Sequence, residues 1–166
     1  PKMPYSVVIT DVDGVLTDGC FFYDSHGKQY KKFGPHDADG VKFFRKMGVE
    51  VIAISADKRG FPITSKRLAD MGVELFLVSE KDRLSFVEKK LRKERVAFVG
   101  DGYFDIPSLK AAAVGYAPSS ALKVVQDNAD CVLPVSGGHG VLLSVFEHFL
   151  CLFDGAMFNS YKKGVL

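Results

Sequence analysis

Two aspartates two positions apart, Asp11 and Asp13, are followed at once by a glycine in the string DVDGVLT (Asp11 to Thr17), which itself follows an apolar run, YSVVIT (Tyr5 to Thr10). Carboxylates at the end of a buried strand are rigidly held, and a glycine directly after them lets backbone approach a bound anion or cation with no Cβ in the way. That pattern suits phosphoryl transfer. Hydrolysis of a phosphate monoester calls for an acceleration of up to about 10²¹, whereas one general acid supplies about 10²–10⁴, so the work must be divided. One carboxylate can attack phosphorus and a second can protonate the leaving oxygen; with a distant acid they can hold a divalent cation between them. Calcium loops share the Asp-x-Asp-Gly spacing. An EF-hand, however, needs a third oxygen ligand two residues on and a closing glutamate, where this chain has Val15 and Phe22.

Such carboxylates need a strand to present them, and the chain alternates strand-like with helix-like segments. The apolar runs are YSVVIT, Val49 to Ser55, Glu74 to Ser79, Arg95 to Gly100 and Cys131 to Val135. Between them lie stretches with helical spacing, at Gly40 to Met47, Gly60 to Met71, Asp82 to Glu94, Ile106 to Ala113, Ser119 to Asn128 and Gly140 to Phe153, with Gly48 and Gly72 as C-caps. This is the rhythm of a doubly wound parallel α/β sheet, Rossmann-like in layout. Cys20 to Phe33 breaks it: aromatics on both sides of Ser25-His26-Gly27 predict a β-hairpin, whose Phe21, Phe22, Tyr23, Tyr30 and Phe33 call for cover from another subunit. Paired Lys31 and Lys32 either contact an anionic substrate from a neighbouring hairpin or keep an edge soluble. The tail from Asp154 to Leu166 has no clear period.

Open parallel sheets bind ligands outside the carboxyl ends of their strands. Asp11 and Asp13 follow the first strand, Ser55 ends the second, and Asp101, Gly102 and Asp105 (GDGYFD) follow the fourth, so three polar clusters share one rim. Asp101 is the natural third metal ligand; Gly102 permits the tight turn, and Asp105 orients that ligand or caps the helix from Ile106.

Composition bounds the rest. At 166 residues, 47% apolar, the chain fits one soluble domain with a proper core, residues 1–166. A formal charge of +2 argues against a polyanion-binding surface, hence no nucleic acid partner. Cys20, Cys131 and Cys151 are odd in number and set in apolar context, which predicts buried thiols in a reducing compartment. No run is long enough for a membrane span and no signal-peptide layout is evident, so the cytoplasm is the default.

DVDGVLTDG, a serine ending the second strand, and GDGYFD together resemble the haloacid dehalogenase superfamily of aspartyl-phosphate phosphohydrolases. Its capless group, with a hairpin after the first motif, is the nearest match. TDGCFFYDSHGKQYKKFGPHDADGV and GGHGV (Gly137 to Val141) are similar to the phosphatases of octulosonate 8-phosphate and of nine-carbon sugar-acid phosphates, over roughly Tyr5 to Leu150. The resemblance implies Asp11 as nucleophile, Asp13 as general acid and base, Mg²⁺ held by Asp11, the Asp13 carbonyl and Asp101, and a homotetramer whose neighbours help to close each site. Ser55 and Ala56 then meet the phosphate. Asp57 stands where such phosphatases carry Arg or Glu, and Leu143 where the octulosonate enzymes carry an Arg for the substrate carboxylate. The basic residue that balances the phosphate charge is Arg83 by the register of DRLSF, or Lys81 two positions earlier. Asp37 matches a family acid placed for substrate, or caps a helix; His36 and His139 fall in rim loops. Two rivals stand beside a sugar-phosphate phosphatase. One is a non-catalytic oligomerisation module of the kind fused to sugar-nucleotide synthetases, which has no need of these acids. The other is a phosphomutase, which needs a cap to exclude water from its intermediate.

Overall fold

The computed structural model describes residues 1–166. Strand β1 (Val7–Asp11) is buried along its whole length, as a near-continuous apolar run must be when both faces of a parallel sheet are covered. The chain leaves it through a hairpin, β2 (Thr17–Asp24) and β3 (Gly27–Phe33), then α1 (His36–Lys46), β4 (Glu50–Ser55), α2 (Phe61–Met71) and β5 (Glu74–Leu77). It returns across the sheet through α3 (Arg83–Leu91), β6 (Val96–Val99), α4 (Ile106–Ala111), β7 (Val114–Ala117), α5 (Lys123–Gln126) and β8 (Cys131–Val132), and ends in α6 (Val141–Phe153) and α7 (Gly155–Lys162). The six-stranded order is β5-β4-β1-β6-β7-β8, every pairing parallel. Because the winding reverses at β1, the carboxyl ends of β1, β4 and β6 open one crevice.

Two cores form, one on each face. Val8, Ala53 and Val99 face Phe44, Phe146 and Phe149, while Val7, Ile9, Ile52 and Phe98 face Val87 and Leu109. That is the period of two along buried strands, and each large side chain so buried contributes about 1.5–3 kcal/mol. The hairpin is a separate two-stranded antiparallel sheet. Phe21, Phe22, Tyr23 and Tyr30 of the hairpin are exposed.

Several segments depart from expectation. Strand β7 was not foreseen, since VGYA is short and follows AAA, which reads as continued helix. The helix expected over 119–128 shrinks to the single turn of α5, and α1 starts at His36, four residues before Gly40, with Asp37 and Asp39 favouring its positive end. The tail is ordered: Asp154 caps α7, accepting from Ala156 N at 2.9 Å, and the Tyr161 hydroxyl donates to Glu147 at 2.9 Å. The cysteines correct a prediction. Cys20 and Cys151 are exposed and Cys131 is half-buried, because Cys20 lies on the outer hairpin and Cys151 on the solvent side of α6, next to buried Leu150. All three are free, and no helix is long and apolar enough to cross a membrane.

Candidate active site

Asp11 is the last residue of β1, in register with Ile54 on β4, and the loop after it runs against Asp101, which follows β6. Thr17 shapes that loop, its hydroxyl oxygen accepting from Gly14 N and Gly19 N at 3.1 Å each. Gly14 has φ +86°, and a Cβ there would lie 1.8 Å from Asp101 Oδ2. Only glycine brings the first loop this close to the acid that follows β6.

Asp11, Asp101 and Asp105 each offer a carboxylate oxygen within 4.8 Å of the others. Burial, then the charge of Asp105 and that of Asp101, pushes the Asp11 carboxyl well above its ordinary range, with Arg83 opposing. Asp101 is pushed up to about 6, first by burial and then by Asp105. Desolvated acids facing one another create a demand for a cation, and an all-oxygen donor set of this kind fits a hard ion such as Mg²⁺. Asp105 is already engaged. Its Oδ1 accepts from Arg83 Nη1 at 2.5 Å, and its Oδ2 accepts from Asp101 N and Gly102 N at 3.0 Å each. It therefore orients Arg83 and the Asp101 turn, leaving Asp11 and Asp101 free to bind.

Arg83 opens α3, buried, with Nη2 3.8 Å from Asp11 Oδ1 and its buried Nε without a partner. A guanidinium in that state offers a fork to an anion resting against Asp11. Lys81 is exposed on the turn before α3 and lines an adjacent apolar pocket with Leu84, Tyr103 and Phe104, not this cleft. Ser55, at the end of β4, accepts from Asp57 N at 3.1 Å, which leaves its hydroxyl proton free to donate into the cleft. The cleft, of about 300 Å³, takes in Asp11, Asp13, Ser55, Ala56, Arg83 and Gly102.

Asp37 does not line it, which corrects the substrate-contact reading. It is buried in the first turn of α1, against the start of α6, where its Oδ1 accepts from Leu142 N at 2.9 Å. His36 and His139 are exposed, and Leu143 is half-buried on α6.

The sequence reading missed how the hairpin lysines act. Lys31 points inward with no exposed side-chain surface, 2.8 Å from Asp13 Oδ1, whereas Lys32 is exposed. Lys28 meets Asp57 at 2.6 Å. Burial would raise Asp57, but hydrogen bonds from Lys28 and Lys31 bring it down to about 2. The hidden signal was a β-bulge: Phe22 pairs with Tyr30 and Tyr23 with Lys28, so Gln29 is the extra residue and Lys28 and Lys31 come to one side.

A parallel sheet with two aspartates after its central strand, two more after the next, and no inserted cap defines a phosphatase of the haloacid dehalogenase superfamily. No family model matches the chain. The 3-deoxy-D-manno-octulosonate 8-phosphate phosphatase KdsC of Haemophilus influenzae is 35% identical over 148 residues, covering 86% of this chain and 81% of that protein. The chain belongs to this phosphatase family. The cobalt-bound structure of the Haemophilus influenzae enzyme superposes with a TM-score of 0.80 at 30% identity, covering 94% of this chain and 96% of that one. A Moraxella catarrhalis octulosonate phosphatase, in complex with magnesium, phosphate and KDO, shares the fold at TM-score 0.84 and 22% identity, covering 99% and 95%.

Proposed function

We propose that this chain is a Mg²⁺-dependent phosphatase that hydrolyses a small phosphorylated sugar or sugar acid through a phospho-aspartate at Asp11. The observation that carries this reading is the convergence of Asp11, Asp13, Ser55, Arg83 and Asp101 on one strand rim. Asp11 attacks phosphorus while the bond to the leaving oxygen breaks, and Asp13 delivers a proton to that oxygen. Asp13 then takes a proton from the water that attacks the phospho-aspartate, releasing phosphate and restoring Asp11. Ser55 donates to a phosphate oxygen, the backbone at Ala56 borders it, and Arg83 offsets its charge from the far side. Asp11, Asp101 and the Asp13 carbonyl would hold the metal, which when bound neutralises charge between nucleophile and phosphate.

The relatives' octulosonate 8-phosphate supports a sugar-acid substrate, while Leu143, where the sequence resemblance implies an arginine for the substrate carboxylate, supports a different sugar from theirs. The working assembly is a homotetramer and its setting the cytoplasm, readings supported by the exposed aromatic hairpin and the three free thiols. The test is a screen of sugar phosphates for phosphate release with and without Mg²⁺. Release from at least one sugar phosphate, dependent on Mg²⁺, is expected; no release from any ester contradicts the reading.

A further inference from the structure

The hairpin inserts one buried cation into the site. Lys31 Nζ lies 2.8 Å from Asp13 Oδ1 and 3.0 Å from Asp13 Oδ2, and its remaining contacts are Asp57 Oδ2 at 2.8 Å and Thr64 Oγ1 at 2.9 Å. Asp13 is one-third exposed, while the lysine that holds it is fully buried. Left alone, an aspartate at a strand rim samples several rotamers and turns to water. Asp57 is pinned in turn, by Lys28 on one oxygen and by Gly60 N at 3.1 Å on the other. The packing is close enough that a Cβ on Gly60 would fall 2.2 Å from Asp57 Oδ2 and 2.7 Å from Lys31 Cε.

We infer that Lys31 is a positioning residue for Asp13: anchored by Asp57 and Thr64, it fixes the carboxyl that exchanges a proton with the leaving group. This goes beyond the phosphatase reading and rests on it. Asp57 is then the anchor of the clamp and not a substrate contact. An ammonium only donates, and Lys31 reaches both Asp13 oxygens, so it fixes the plane of the carboxyl group as well as its position. The bulge at Gln29 is what brings Lys31 and Lys28 to the same side, so the hairpin contributes to the chemistry as well as to the surface.

The test uses the Mg²⁺-loaded enzyme and three esters of rising leaving-group basicity, p-nitrophenyl, phenyl and benzyl phosphate. Lys31→Met keeps the length of the side chain without its charge. Its kcat on benzyl phosphate should fall about 10- to 100-fold, with p-nitrophenyl phosphate, which departs without a proton, nearly unaffected. Asp57→Asn and Thr64→Val, which each remove one anchor, should show the same graded loss in weaker form and carry the test if Lys31→Met does not fold. On a background of Asp13→Asn, Lys31→Met should cost nothing further. Equal losses across the three esters, or full additivity with Asp13→Asn, overturn the inference alone. A wild-type enzyme that releases phosphate from none of the three and from no sugar phosphate overturns the phosphatase reading and the inference with it.

Discussion

Asp11 and Asp13 are the same residue type two positions apart, yet their surroundings differ in the way the two tasks proposed for them require. Asp11 is buried among Asp101, Asp105 and Arg83, aimed at the space where a phosphate would rest. Asp13 stands at the rim, beside Lys31. Asp11→Asn should therefore remove turnover by more than about 10³-fold while circular dichroism stays native, since the amide is isosteric and a poor nucleophile; substantial residual turnover contradicts the assignment. Gly14→Ala makes a sharper prediction about the cation. With φ at +86° and a new Cβ 1.8 Å from Asp101 Oδ2, the variant should need far more Mg²⁺ for half-activity, read by titrating the metal at fixed substrate. An unchanged Mg²⁺ requirement rules out Asp101 as a ligand. At this scale the sequence was informative where chemistry is spelled by local strings, as in DVDG and GDGYFD. It singled out Lys31 and Asp57 separately but not their pairing, which spans 26 positions of the chain and depends on a bulge, a contact that no short-range pattern encodes.

Among the elements, strand and helix alternation was legible because buried parallel strands are apolar runs separated by amphipathic stretches. The omissions have the same physical root: β7 is four residues long, and α5 is held by its tertiary setting more than by periodicity. Asp37 shows how an element-level role resembles a chemical one in sequence. It ties α1 to the start of α6, and burial raises its carboxyl from 3.8 to about 6. The folded state thus favours the neutral acid, and the stability it contributes is full at low pH and is lost as pH rises through about 6. Asp37→Asn keeps an acceptor for Leu142 N and cannot ionise. Its unfolding free energy should match wild type near pH 4 and exceed it by up to about 3 kcal/mol above pH 7, measured by urea denaturation across that range. A difference that does not grow with pH counters this account.

At the scale of the whole molecule, a chain without a cap leaves its rim open, and the simplest cover is a neighbouring subunit. Phe22 and Tyr30, exposed at 67% and 69%, are the surface proposed for that contact. If the proposed homotetramer forms through the hairpin, replacing Phe21 and Phe22 with serine should dissociate it in sedimentation and reduce activity on the sugar phosphate more than on p-nitrophenyl phosphate, which needs no neighbour to position it. A fully active wild-type monomer breaks this link. The proposal of assembly rests on a surplus of exposed aromatics, because no local pattern in the sequence encodes a partner surface. The central claim is that the phosphoryl group passes through Asp11, and rapid acid quench followed by peptide mass spectrometry tests it most directly. During turnover with Mg²⁺, one phosphoryl group should appear on the peptide containing Asp11, vanish with chelator and be absent from Asp11→Asn; active turnover with that peptide never modified would contradict the account.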